Sequence, residues 1–134
     1  GSSWKPTTSN TVTQLANTAS QAMGAAYAVL TGMTSSRPSG TYVVNFSGYF
    51  VLTTDSQAAI TMYIDNTEVG DINGYTYREF GTIASNGADN WKGSVHTQAF
   101  VTLTGTQSIN IRGKNITSTG NTFRNGTLII MKIT

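Results

Sequence analysis

The segment from Gly40 to Leu52 (GTYVVNFSGYFVL) reads as a β-strand that is apolar on both of its faces. Side chains alternate across a strand, so an antiparallel sheet with one solvated face is apolar in only one alternating set. Here one set contains Tyr42, Val44, Phe46, Phe50 and Leu52, and the other contains Val43, Tyr49 and Val51. A strand of this kind needs cover on two sides.

The C-terminal apolar run has the same property. Residues 128–133 read LIIMKI, with apolar side chains in both alternating sets. A single small sandwich covers only one face of each of its sheets, so two such strands need more burial than a monomer supplies. A partner subunit is the simplest source of that cover, and we therefore expect self-association.

Composition places the chain among all-β domains. Its 134 residues are enough for one domain with a sizeable core. Thr, Ser, Asn and Gly make up 61 of the 134 residues, while only 10% of all residues are charged. Thr favours strands and the other three favour turns, a balance typical of many strands joined by tight connections.

Charge and cysteine content exclude several classes of protein. The net charge of +2 is carried by scattered basic residues that form no run, so we expect no nucleic-acid partner. No stretch has the length and apolarity of a membrane span, and no signal-peptide pattern is present. The absence of cysteine argues against a small disulfide-stapled secreted domain and leaves the compartment open.

The N-terminal part, residues 1–24, reads as a linker or the end of a stalk, and we expect the domain itself to span 25–134. Residues 1–3 (GSS) look like a cloning remnant. Within 11–30 the apolar residues follow a 3-4-3-4-3 spacing, which is typical of a short helix or the end of a coiled-coil stalk. The frequent Thr and Asn favour instead an irregular segment that leads into a first strand near 25–32. Both interpretations stay open from the sequence alone.

A series of strands follows the Pro-containing turn at 37–40. Turn clusters rich in Gly, Asn, Asp and Ser separate these strands, and no helical pattern lies between them. The predicted strands span residues 41–53, 58–65, 75–83, 94–104, 107–114 and 126–133. This spacing indicates an all-β sandwich or jelly roll.

The order of these pieces resembles a known family. The segments, in chain order, are AAYAVLTG, GTYVVNFSGYFVL, ITMYIDNTEVG, VHTQAFVTLTGTQSINIRGKN and NGTLIIMKI. Together they resemble the trimeric jelly-roll heads related to tumour necrosis factor (TNF) and to the globular head of the complement recognition protein. The resemblance covers roughly residues 25–133 and is carried by the G-x-Y-x-V-x-F strand at Gly40, by the strand pair around Gly105, and by the terminal apolar strand.

The resemblance implies a TNF-like jelly-roll β-sandwich that forms a homotrimer at the end of a stalk or fibre, as at the tips of phage and bacterial surface fibres. One face of the two-faced strands would then line the sandwich, and the other would line the threefold axis. The implied location is extracellular, on a cell or virion surface. Our candidates for the trimer interface are Tyr49, Val51, Phe100, Leu128 and Ile130, although the same set could line the inner face.

The sequence offers little for catalysis or metal binding. The single histidine, His96, excludes a multi-histidine metal site, and no G-x-S-x-G motif supports a serine nucleophile. No spacing among the six acidic residues recommends a catalytic pair, so we expect no enzyme activity and no cofactor. A cluster of oxygen-bearing side chains could bind calcium but does not fit the EF-hand loop, and a solvated hairpin loop explains it more simply. The cluster consists of Asp65, Asn66, Glu68, Asp71 and Asn73.

The loops offer three candidate groups for binding a ligand. Aromatic side chains in loops either pack on the core or present a platform for sugars and protein partners. The candidates are Trp91 with Lys92, the group Tyr75, Tyr77 and Arg78, and Phe123 with Arg124. Packing on the core or ordinary strand alternation is the competing interpretation for each aromatic residue.

The function that best fits these features is attachment. We expect a non-enzymatic trimeric head of a surface fibre that binds a cell-surface glycan or protein receptor, because three weak sites on one tip gain avidity. Two alternatives stay open. One is a monomeric carbohydrate-binding module of a larger protein, and the other is a structural capsid or fibre-assembly domain with no receptor.

Overall fold

A computed structural model describes residues 12–53, 56–69, 81–84, 91–117 and 120–134. Within these segments the chain forms ten strands and no helix, so no helix there could cross a membrane. The strands are β1 (Val12–Asn17), β2 (Gln21–Ala22), β3 (Ala28–Arg37), β4 (Gly40–Leu52), β5 (Gln57–Ile64), β6 (Thr67–Glu68), β7 (Gly81–Ala84), β8 (Trp91–Leu103), β9 (Gln107–Thr117) and β10 (Thr122–Lys132). The prediction of an all-β chain is confirmed.

The strands form two antiparallel sheets. Sheet A has the order β1-β10-β4-β8, and β2 also pairs with β10. Sheet B has the order β3-β9-β5-β6, and β7 also pairs with β5. Most neighbours in each sheet are distant in the chain, since β10 lies between β1 and β4, and β9 lies between β3 and β5. This crossing of the chain between two packed sheets is the jelly-roll arrangement that the strand series predicts.

The core lies between the two sheets and follows the two-residue period of the strands. In β4, Tyr42, Val44, Phe46, Phe50 and Leu52 are all buried at 1% exposure or less, which matches one of the two predicted sets. Sheet B contributes alternating residues of β5 and β9 to the same core, including Ile60, Met62, Ile109 and Ile111. Because each sheet places one alternating set between the layers, the periodicity in the sequence determines which side chains form the core.

Two glycines of sheet A make room for a cluster of phenylalanine rings. Gly48 and Gly126 lie opposite each other on β4 and β10. A Cβ atom on Gly126 would lie under 3.0 Å from the Phe123 ring, and one on Gly48 would crowd the rings of Phe46 and Phe50 equally. The three rings lie with their centres 5.3–6.5 Å apart. Glycine is therefore required here for packing, because the rings occupy the space where side chains would stand.

The N-terminal boundary differs from the prediction. β1 pairs with β10 along its whole length, from Val12 opposite Met131 to Asn17 opposite Gly126. The assignment of residues 12–24 to a linker or stalk is therefore wrong, and so is the helix interpretation of this segment. Leu15 packs against the core, which accounts for one of the apolar positions that mimic a heptad. The jelly roll includes β1, and residues 1–11 lie outside the described part of the chain.

Candidate functional site

The outer face of sheet A carries a row of apolar side chains across all four strands. Val12 of β1 lies opposite Met131 of β10, Met131 lies opposite Val43 of β4, and Val43 lies opposite Phe100 of β8. We call these four residues the apolar row. None of them belongs to the core cluster between the sheets. Cross-strand neighbours on one face contact each other, so the four side chains form one continuous patch.

The apolar row is exposed at its edges and covered at its centre. Val12 is 57% exposed, Phe100 48% and Met131 37%, whereas Val43 is only 7% exposed. Val43 points away from the sandwich, so its flanking row members must cover it. Ile133 follows two residues after Met131 and is also exposed. Apolar side chains in contact on the surface differ from single exposed ones, because contiguous patches mark interaction sites.

The rest of the outer face of sheet A is mainly polar. Asn45 and Gln98 lie in the next row, and Ser47 and His96 lie opposite each other in the row after it. The Ser47 hydroxyl and His96 Nδ1 are 2.6 Å apart. Within the described part of the chain no carboxylate pairs with His96, and the neighbouring backbone N–H groups belong to a sheet ladder. The pair therefore lacks both the orienting acid and the oxyanion donors that a serine hydrolase needs.

A shallow depression of about 380 Å³ lies further along the same face. Its floor includes the backbone of Gly48 and Gly126, and Tyr49 forms part of its wall. The remaining lining residues are Ala16, Asn17, Thr18, Ser47, Ser94, Asn125 and Thr127, all uncharged. An uncharged, open surface of this kind can accept a contact but offers no group for acid–base chemistry.

The predicted trimer-interface residues divide between the two faces of sheet A. Phe100 belongs to the apolar row, and Tyr49 and Val51 are half-buried on the same outer face. Leu128 and Ile130 are fully buried between the sheets, opposite Phe46 and Val44. For these two the interface prediction is wrong, because even-numbered residues in this part of β10 point inward and odd-numbered ones point outward. They occupy the inner face, which was the alternative for this set.

The predicted ligand-binding residues are scattered rather than gathered into a site. Phe123 is fully buried among core phenylalanines, so its prediction as a ligand contact is wrong. Arg124 is exposed at a bulge in β10, and Lys92 is exposed on β8, with β4 between these two strands. Trp91 begins β8 and pairs through its backbone with Leu52. The predicted group at Tyr75, Tyr77 and Arg78 lies outside the described residues.

The candidate calcium ligands of the β5–β6 hairpin, Asp65 and Glu68, each accept a hydrogen bond from another group of the protein. Asp65 Oδ1 accepts a hydrogen bond from the Ser108 backbone N–H at 2.9 Å, and Glu68 Oε1 accepts one from the Thr61 hydroxyl at 3.2 Å. Asp65 adopts a φ of 55°, which Asp tolerates better than most residues, in the tight turn that joins β5 to β6. In the segments with described structure, no three His, Asp or Glu side chains cluster as metal ligands would. Asp71 and Asn73 lie outside these segments.

The outer face of sheet B holds a group that the sequence interpretation missed. The guanidinium carbon of Arg112 lies 4.0 Å from the centre of the Tyr63 ring, and Lys114 Nζ lies 4.4 Å from the centre of the Tyr27 ring. The two rings meet edge to face, with centres 6.1 Å apart. We call these four residues the tyrosine–cation cluster. Two cations at alternate positions of one strand are the only signal for it in the sequence, because the tyrosines come from distant segments.

Comparison with known proteins rests on structure alone. No protein-family model matches the sequence, and no curated protein matches it. Among solved structures, the VP2 subviral particle of infectious bursal disease virus matches with a TM-score of 0.54 at 10% identity, over 91% of this chain and 32% of that one. The structure of the Gt strain of this virus matches with a TM-score of 0.53 at 11% identity, over 98% and 37%. This chain thus spans about a third of those viral chains.

A second kind of neighbour matches over nearly the full length of both chains. The structure of Eiger TNF from S. frugiperda has a TM-score of 0.51 at 9% identity, and the match covers 92% of this chain and 93% of that one. At these identities the similarity establishes the fold. The chain has a TNF-like jelly-roll fold, as the resemblance in its sequence implies.

Proposed function

We propose that this chain is a non-enzymatic head domain that forms a homotrimer through the outer face of sheet A and attaches a surface fibre to a glycan or protein receptor. Its place would be outside the cell, on a cell or virion surface. The fold supports a surface domain of this kind, and the described residues present a patch for association rather than a catalytic constellation. The apolar row is the observation that carries the proposal.

The apolar row supports association because its exposed side chains gain free energy when water is removed. Complete burial of a Val, Phe or Met side chain is worth about 1.5–3 kcal/mol. Phe100 and Val12 have roughly half of that burial still to gain. A specific interface also buries about 800 Å² on each partner, so we expect the surrounding polar face to form a rim around the row.

The position of the apolar row suits a closed ring better than a face-to-face dimer. The row runs from the β1 edge of sheet A, at Val12, to the β8 edge, at Phe100. A head-to-tail contact joins two different patches and closes into a ring when the rotation permits. In the proposed trimer the β8 edge of one copy packs on the β1 edge of the next. Three copies then present three receptor sites, and weak binding at each site gains avidity.

Light scattering after size exclusion, at several concentrations, tests the assembly. We expect a mass of about three times 14.2 kDa for the chain and of 14.2 kDa for Phe100→Glu, because burying the new carboxylate in an apolar contact is costly. Ile116→Glu is the matched control, since Ile116 is 41% exposed but lies on β9 of the opposite sheet. It should leave the trimer intact.

The other outcomes of this experiment contradict the proposal in different ways. A wild-type chain that is monomeric at every concentration contradicts the proposed trimer. A trimer that survives Phe100→Glu, or that is lost equally in Ile116→Glu, associates through a surface other than the apolar row. Circular dichroism of each variant checks that the sandwich remains folded.

A further inference from the structure

We propose that the tyrosine–cation cluster on sheet B binds an acidic glycan. Its carboxylate or sulfate groups would lie on Arg112 and Lys114, and its sugar rings would pack against Tyr27 and Tyr63. This inference rests on the proposed attachment role, for which it names the ligand class. It also assigns the ligand contact to the sheet opposite the association surface, so that assembly leaves it accessible.

The Arg112 side chain is fixed in place before any ligand arrives. Its Nε donates to Asn110 Oδ1 at 2.7 Å, and its Nη2 donates to the Asp65 carbonyl oxygen at 2.9 Å and to Asn66 Oδ1 at 3.1 Å. Its guanidinium also lies against the Tyr63 ring. Guanidinium carries five N–H donors, and Nη1 donates to none of the described residues. A rigid guanidinium whose Nη1 donors bind none of the described residues is suited to a carboxylate or sulfate.

Lys114 supplies a second cation on the same face. It lies two residues from Arg112 on β9, so their Cα atoms are about 6.8 Å apart and their side chains point the same way. Its Nζ contacts the Tyr27 ring and, within the described segments, makes no hydrogen bond or salt bridge. The ring orients the ammonium group without neutralising its charge.

The two described acidic residues of this region form no ion pair with Arg112 or Lys114. Glu68 directs Oε1 to the Thr61 hydroxyl, and Asp65 directs Oδ1 to the Ser108 backbone. No salt bridge joins either carboxylate to Arg112 among the residues with described structure. Because no described carboxylate binds either cation directly, Nη1 of Arg112 and Nζ of Lys114 can each meet an anionic group of a ligand.

The combination of rings and cations favours an acidic sugar over other anions. Tyr27 and Tyr63 meet at an interplanar angle of 62°, so they form a bent apolar wall beside the charges. A sugar that carries an acidic group uses both the wall and the cations, whereas a small free anion uses the cations alone. Nucleic acid requires a longer basic stripe than these two cations supply.

Calorimetric titration of the full chain with defined oligosaccharides tests the inference. The probes are a sulfated heparin oligosaccharide, a carboxylated hyaluronan oligosaccharide and neutral dextran. We expect at least one acidic probe to bind and dextran not to bind, and we expect binding to weaken when the salt concentration is raised to about 0.5 M. The two acidic probes distinguish sulfate from carboxylate as the preferred group.

Three variants locate the contact. Lys114→Gln should weaken binding about tenfold while the domain stays folded, because its ammonium group makes no hydrogen bond to the described residues. Arg112→Gln combined with Lys114→Gln should abolish it. The rival double variant Lys92→Gln with Arg124→Gln removes the same net charge elsewhere and should bind like the wild type. Circular dichroism verifies the fold of each variant.

The remaining outcomes overturn the inference. Failure of both acidic probes to bind the wild type contradicts an acidic glycan as the ligand. An equal loss in the two double variants means an effect of net charge alone, and a larger loss in the rival variant moves the contact to Lys92 and Arg124. Mass measured on the same samples separates the two proposals, because a monomer that binds through Arg112 and Lys114 contradicts only the trimer, and a trimer that binds neither probe contradicts only the glycan site.

Discussion

The outer faces of the two sheets differ in which side chains lie next to each other. On sheet A the apolar row leaves Phe100 and Met131 exposed on either side of the buried Val43. Sheet B also exposes Ile116 and Val29, but these stand apart, and the centre of its face is occupied by tyrosines paired with cations. The comparison teaches that alternation alone does not determine the character of an outer face, since exposed apolar residues lie in one row on sheet A and apart on sheet B.

The largest expected effect concerns the core between the two sheets, which lies behind both outer faces. Phe123→Ala should lower the free energy of unfolding by about 3–5 kcal/mol, because it empties the space between Phe46 and Phe50. Arg124→Ala, one residue along the chain, should change it by less than about 0.5 kcal/mol, because Arg124 is exposed. Urea unfolding followed by circular dichroism measures both.

Equal effects of these two substitutions would contradict the inward orientation of Phe123. The outer face of sheet A would then have to be reassigned, since the bulge beside Phe123 sets the register of this end of β10.

A smaller loss is expected where the backbone of sheet A makes room for aromatic rings. Gly126→Ala should cost about 1–3 kcal/mol of unfolding free energy, because the new methyl group meets the Phe123 ring and the core must shift. Gly105→Ala is the control, since a Cβ there meets nothing within 4 Å, and it should be neutral or slightly stabilising. Thermal unfolding of both variants would show how tightly the inner face of sheet A is packed around Gly126. A neutral Gly126→Ala would argue against tight packing there.

The smallest effect is expected on sheet B. Tyr63→Leu removes the ring that lies under Arg112 and beside Tyr27, and should lower the unfolding free energy by about 1 kcal/mol. Tyr63→Phe retains the ring and should leave stability nearly unchanged. A loss of stability in Tyr63→Leu as large as that in Phe123→Ala would mean that Tyr63 belongs to a second core on the outer side of sheet B. Chemical unfolding at fixed salt concentration compares the three.

Much of the fold could be predicted from period-two alternation. The long strands β4, β8 and β9 lie within a few residues of their predicted bounds, and the inward set of β4 is the one the sequence shows. β1 was missed because Leu15 is the only large apolar residue that it turns toward the core, and the spacing of its apolar residues also fits a helix. A short edge strand with one core residue carries too little pattern to outweigh a competing period.

The candidate surfaces were harder to predict, because they depend on which strands become neighbours. Phe100 could be assigned to the outer face from alternation in β8, but Leu128 and Ile130 could be assigned to neither face, since both sets of β10 are apolar. The tyrosine–cation cluster joins Tyr27 and Tyr63, which lie on different sides of β9 in sheet B. Contacts between distant segments follow from topology, and no local spacing encodes them.

β8 also has a consequence for the behaviour of the protein in solution. It forms an edge of sheet A with 13 residues, and in the described part of the chain its backbone pairs only with β4. Natural edge strands of this length are protected by charges, proline or bulges, because unpaired N–H and C=O groups recruit further strands. β8 has a lysine at its second position, no proline and no shift of register. An uncovered β8 is thus a template for strand addition, and a contact that covers this edge would prevent such addition.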